Sequence, residues 1–213
     1  LTERMLKPTR IDSNFSFTAA SLRPELCALV AECRLRLEDW QAVKSAVLSK
    51  NILQCRSAAS GVRLERELRQ RLQCLTPDQL QVLASSHSED RAHMAWLAAV
   101  KRYRFLFNFA ASVLRAKLEI HDPILRASEY NAYMGSQIAT LPSLGKLKPS
   151  SLTKIRTVML LMLREAGLLL PGEDLGCIKR PLLSPQLVTI LRAEHPTFLA
   201  AFLVPDSEIS SPK

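Results

Sequence analysis

The stretch from Asn51 to Leu75 reads NILQCRSAASGVRLERELRQRLQCL. Leu64, Leu68, Leu72 and Leu75 recur at spacings of three and four, which lines one side of an α-helix with apolar groups. Arg63, Arg66 and Arg69 stand three residues apart and fan out along the opposite flank. Ser57 is a good N-cap, and Asn51 tolerates the left-handed backbone that ends a preceding helix. The spacing therefore predicts a turn at Asn51 and a helix from about Ser57 to Leu75. A leucine-anchored helix faced with arginines behind a short turn is how a helix-turn-helix meets a phosphate backbone.

The same grammar extends in both directions. Upstream, Ser21 and Pro24 start a helix with Leu22, Leu26, Leu29, Val30, Cys33 and Leu37 on one face, and Asp39 caps a second helix around Trp40, Val43 and Val47. Downstream, Thr76-Pro77 opens a short helix to about Ala84, and Ser85 to Ser88 is a polar break. Glu89 to Leu118 reads as one long helix, stopped by His121-Asp122-Pro123. A short helix follows from Arg126 to Met134, ended by Gly135, and Pro142, Gly145 and Pro149 mark a loop. Ser150 or Ser151 then caps a helix to Ala166. Its apolar residues include Leu160 and Leu161 on the side away from Met159, so it should be covered almost all round. Residues 168–183 have room for a small β-hairpin, Ser184-Pro185 restarts a helix, and the chain frays from Pro205.

The fold class expected is all-α, a multi-helix protein with only that small hairpin; 6 Gly in 213 residues are too few for a β-sandwich or barrel. The division expected is an arm over residues 1–20, a helix-turn-helix-like part over 21–84, a helical part over 85–204 and a frayed tail over 205–213. The five cysteines are odd in number and show no C-x-x-C spacing, which points to a reduced, cytoplasmic protein. No apolar run approaches the ~20 residues of a membrane span, and the N-terminus carries no secretory pattern.

A formal net charge of +9 suits an anionic partner. The candidate contacts are Lys50, Arg56, Ser57, Ser60, Arg63, Arg66 and Arg69 around the basic helix, with the serines and free N–H groups at its start able to donate to phosphate. On an ordinary exposed helix the same residues would form Arg63–Glu67 and Glu65–Arg69 pairs, each contributing ~0.3–0.5 kcal/mol. Both readings stand on the residues alone. Lys154, Arg156, Lys179 and Arg180 make a second basic patch. Its layout of helix, turn at Gly167 and hairpin resembles a winged helix, but the helix is too apolar to lie in a wet groove. The aromatic-basic run Lys101 to Phe109 reads as a core stripe with surface cations more than as a base-stacking platform. No P-loop, zinc spacing or nucleophile–base constellation is present, so neither enzyme nor cofactor is expected.

Several blocks resemble the BrxA family of the BREX bacteriophage-exclusion systems. They are Trp40, Ala42-Val43-Lys44, Asn51-Ile52-Leu53-Gln54, Arg56-Ser57, Ser60, Arg63, Arg66-Glu67 and Arg71-Leu72, then Leu97, Arg102-Tyr103, Leu106, Phe109 and Val113-Leu114. The similarity resumes at Leu152-Thr153-Lys154-Ile155-Arg156, Leu163 to Leu169 and Pro181-Leu182-Leu183-Ser184-Pro185. The resemblance implies a small, all-helical, non-enzymatic component of a phage-defence island that binds double-stranded DNA through a helix-turn-helix-like N-terminal part. It also implies a fold similar to the antitermination factor NusB, which leaves RNA open as a ligand. The family has carried an inner-membrane label that this sequence does not support. Arg56, Ser57, Ser60 and Arg63 match its pattern and are the residues carried over as DNA-facing. The rival reading is a structural adaptor whose basic faces dock onto acidic surfaces of other BREX proteins.

Overall fold

Several helices start where a side chain satisfies free N–H groups. In this computed structural model, which describes residues 15–37 and 39–210, Asp39 caps α2 (Trp40–Ser49) by accepting from the Gln41 and Ala42 N–H groups. Ser57 caps α3 (Ala58–Leu72), and Thr76 with Gln79 forms a reciprocal capping box on α4 (Pro77–Ser85). The first helix departs from expectation. α1 (Pro24–Arg36) begins after Arg23, which sits in the left-handed region at φ 52°. Ser21 is not its cap, because its hydroxyl donates to Glu165 instead.

α5 (Ser88–Arg102) is the axis of the core. From His93 to Val100 every residue is buried, and the Trp96 indole N–H donates to the Ala201 carbonyl at 3.0 Å. α1, α3 and α4 pack around it. The expected single helix to Leu118 breaks at Tyr103, whose backbone turns extended (φ −121°, ψ 97°). The phenol is held by Glu67 and Ser16, and those tertiary bonds override local helix preference. The chain resumes as α6 (Arg104–Asn108), a π-helical turn (Phe109–Leu114) and α7 (Arg115–Glu119).

The second half holds the other differences. β1 (Ile124–Leu125) leads into α8 (Ala127–Thr140), which runs through Gly135 rather than ending there. α9 (Pro142–Gly145) is a single turn within the expected loop. α10 (Pro149–Glu165) starts at the proline itself, without a side-chain cap from Ser150 or Ser151. It is less completely covered than its composition suggests, since Leu160 is buried but Leu161 is 43% exposed. β2 (Leu169–Leu170) and β3 (Gly176–Ile178) form the expected hairpin, and β1 adds on the far side of β3 to give an antiparallel sheet ordered β1-β3-β2. α11 (Pro185–Glu194), a 3-10 turn (Pro196–Phe202) and α12 (Asp206–Ile209) close the described chain. Asp206 pairs with Arg115, so the segment after Pro205 is tied down as far as Ser210. The all-α expectation holds, and none of the described helices is long and apolar enough to cross a membrane.

Candidate nucleic-acid interface

α3 sorts its charges by face. Glu65 and Glu67 are 0% and 2% exposed, whereas Arg63 and Arg66 are exposed and form no ion pair among the described residues. Glu65 pairs with Arg69 at 2.6 Å, as its spacing allows. Glu67 pairs with Arg71 at 2.8 Å, so the expected Arg63–Glu67 pair does not form. The outer surface of the helix is therefore cationic even though its sequence alternates charge. Arg69 differs from its two neighbours: its guanidinium lies against Glu65 and is largely covered.

The turn before α3 is built by Asn51. Its side-chain amide donates to the Cys55 carbonyl while its oxygen accepts from the Cys55 N–H, closing residues 51–55 into a loop. Asn51 and Gln54 both take positive φ, at 44° and 51°. Lys50, Arg56 and Ser57 project from this turn and are exposed. The Ser57 hydroxyl oxygen accepts from the Ser60 N–H at 3.2 Å, so it is committed to capping.

One cleft of about 500 Å³ joins residues that lie far apart in sequence. Arg63, Ser60 and Leu64 of α3, Lys154 of α10 and Arg23 before α1 line it, with Ser16, Thr18, Ala19, Ala20 and Cys55. No carboxylate is among them. Its wall, residues 16–23, is fixed from three sides. Arg71 is fully buried and donates to the carbonyls of Phe17, Ala20 and Ser21. The Tyr103 hydroxyl donates to Glu67 and bonds Ser16 at 2.7 Å. Glu165 accepts from the Ser21 hydroxyl and the Leu22 N–H. Burial, and then the Glu67 carboxylate beside it, push the Tyr103 phenol up to about 12.

The second basic patch divides. Lys154 belongs to the cleft with Arg63, but Arg156 points to the other side of α10 and stands 5.7 Å over the Tyr130 ring. Lys179 lines a separate cavity of about 310 Å³ with His93, Arg164 and Glu165 near the start of α5, and Arg180 pairs with Glu208 at 2.9 Å. The aromatic run is core, although not by the expected helical stripe: Tyr103, Phe105 and Phe109 are buried and Phe107 is only partly so. Among the described residues no group of His, Cys, Asp and Glu could hold a metal ion.

Reading the sequence missed Arg23, Glu67, Arg71 and Tyr103. The signal for two of them was present. Leu64, Leu68, Arg71 and Leu75 share one stripe, and Glu67 stands four residues before Arg71. Nothing local marks Arg23 or Tyr103, whose roles depend on distant partners.

The model of the family described as BrxA matches residues 14–195. A curated relative, the BREX protein BrxA of Escherichia coli O9:H4 (strain HS), is 24% identical over 139 residues, which is 65% of this chain; the chain likewise spans only 65% of that relative's length. The crystal structure of an uncharacterized protein from Magnetospirillum magneticum superposes with a TM-score of 0.77 at 18% identity, covering 89% of this chain and 97% of that one, and so shares the fold.

Proposed function

The chain belongs to the BrxA family, and from that premise we propose that it is a non-enzymatic component of a BREX phage-defence system that binds double-stranded DNA through phosphate contacts. One observation carries this reading: α3 buries both of its carboxylates and leaves Arg63 and Arg66 unpaired at the surface. Buried Glu65 and Glu67 oppose a phosphate far less than surface carboxylates would, because the phosphate meets the cations first. Arg56 and Lys50 at the turn and Ser60 at the helix start extend the same face, while Arg23 and Lys154 add charge across the cleft. Arg69 contributes little, since Glu65 already neutralises it. The role expected of Lys179 and Arg180 is minor, because both lie outside this face.

The contacts are of the kind that hold backbone. Two exposed arginines on one short helix can grip phosphates, and sequence-tolerant binding is the expected outcome. Replacing Arg63 and Arg66 by Glu should abolish the gel shift of a duplex while circular dichroism stays unchanged. The pair Lys179→Glu and Arg180→Glu should leave the shift in place. Retained duplex binding in the Arg63/Arg66 variant would overturn the assignment. Structured RNA bound more tightly than duplex would move it to RNA, and capture of another BREX protein without any duplex binding at low salt would replace it by an adaptor.

A further inference from the structure

We propose that the Arg23–Arg63–Lys154 cleft is a subsite for a terminal phosphate, the phosphomonoester of a nucleotide or of a DNA strand end. The inference rests on the reading that this face meets nucleic acid, and it assigns to the cleft a ligand that the helix face alone does not need. A duplex presents a convex surface with one charge on each phosphodiester, so exposed side chains on α3 suffice for it. The cleft is concave. Its volume of about 500 Å³ lies within the ~300–1,000 Å³ typical of small-molecule sites.

The lining chemistry fits a dianion. Arg23, Arg63 and Lys154 line the cleft from three separate parts of the chain, Thr18 and Ser60 add hydroxyls, and no acid lines the space. A phosphomonoester carries about −1.5 to −2 charge and three strong acceptor oxygens, so it uses such a lining more fully than a diester does. Ala19 and Ala20 keep the wall low, and Leu64 and Cys55 give an apolar side against which a sugar or base can lie.

The site is also formed in advance. Residues 17, 20 and 21 are each held through their carbonyls by Arg71, Ser16 is held by Tyr103, and Ser21 and Leu22 are held by Glu165. A wall fixed by three elements loses little freedom when a ligand enters, which favours binding. Arg23 is presented into the cleft by its left-handed backbone at φ 52°, a conformation uncommon for a residue with a side chain.

Calorimetry on the full chain at low salt, with thymidine 5′-monophosphate against thymidine, tests the nucleotide arm. Anisotropy with a short duplex ending in 5′-phosphate or in 5′-hydroxyl tests the strand-end arm. The monophosphate should bind where thymidine does not, and the 5′-phosphorylated duplex should bind about tenfold more tightly than its hydroxyl counterpart, the scale of one charge-assisted contact. Arg23→Gln and Lys154→Gln should bring that ratio towards one. As a readout independent of any variant, the monophosphate should slow alkylation of Cys55, which lines the cleft, and leave Cys177, partly buried and outside the cleft, unaffected. Duplex binding with no response to a terminal phosphate in either arm, and no protection of Cys55, overturns the cleft assignment and leaves the duplex reading standing. Monophosphate binding without duplex binding does the reverse.

Discussion

At the scale of single residues, Arg71 shows how little a residue's type alone decides. Arg63, Arg66 and Arg71 share one helix, yet the first two are exposed and the third is 0% exposed. Position on the leucine stripe makes the difference, and the buried guanidinium becomes tolerable because Glu67 and three backbone carbonyls satisfy its donors. Removing one member of such a buried pair is costly because the other charge is stranded. Arg71→Met should lower unfolding free energy by about 3–5 kcal/mol in urea titration; a loss below 1 kcal/mol would mean that water reaches Glu67. The tyrosines offer a second check. All 3 tyrosines of the chain have raised pKa values: burial first, then Glu67, takes Tyr103 to about 12, burial takes Tyr130 to about 12, and burial raises Tyr133 further. Each folded value lies above the ordinary 10, so the stabilisation is complete below pH 10 and is lost as pH climbs towards and past 12. Phenolate absorbance should stay low in the folded protein at pH 10–11 and appear together with unfolding; a folded-state midpoint near 10 would contradict the burial.

At the scale of elements, legibility followed the range of the interactions. Caps at Asp39, Ser57, Thr76 and Ser184 were readable because a cap and its acceptor lie within three residues. The break at Tyr103 and the strand β1 were not, because Glu67, Ser16 and β3 are remote in sequence. Two glycines make the contrast testable by thermal denaturation. Gly176 has φ 136°, and a Cβ there would stand 2.4 Å from the Leu170 carbonyl oxygen, so Gly176→Ala should destabilise by about 1–3 kcal/mol through the hairpin. Gly135 lies inside α8 with nothing within 4 Å of an added Cβ, so Gly135→Ala should stabilise by about 0.5–1 kcal/mol. Equal effects of the two substitutions would contradict these backbone assignments.

At the scale of the whole molecule, the +9 charge is informative through its placement. Many cations are already paired: Arg69, Arg71, Arg91, Lys101, Arg115, Lys117, Arg126 and Arg180 all lie within an ion pair's distance of a carboxylate. Arg23, Arg56, Arg63, Arg66 and Lys154 are among those with no such partner among the described residues, and they lie on α3, its preceding turn and the adjoining cleft. The basic helix was legible from spacing, and so was the candidate role of Lys154. That Lys154 would face Arg63 while Arg156 turns away to Tyr130 depended on packing across the core, which no local pattern records. On the proposed function, the exposed α3 arginines hold duplex DNA by phosphate contacts. The most direct test of that reading is the salt dependence of duplex affinity for the native chain and for the Arg63→Gln/Arg66→Gln variant. Each phosphate neutralised contributes about −0.9 to the slope of log affinity against log salt, so the variant's slope should be shallower by about 2. Identical slopes for the two proteins, or a native slope near zero, would contradict it.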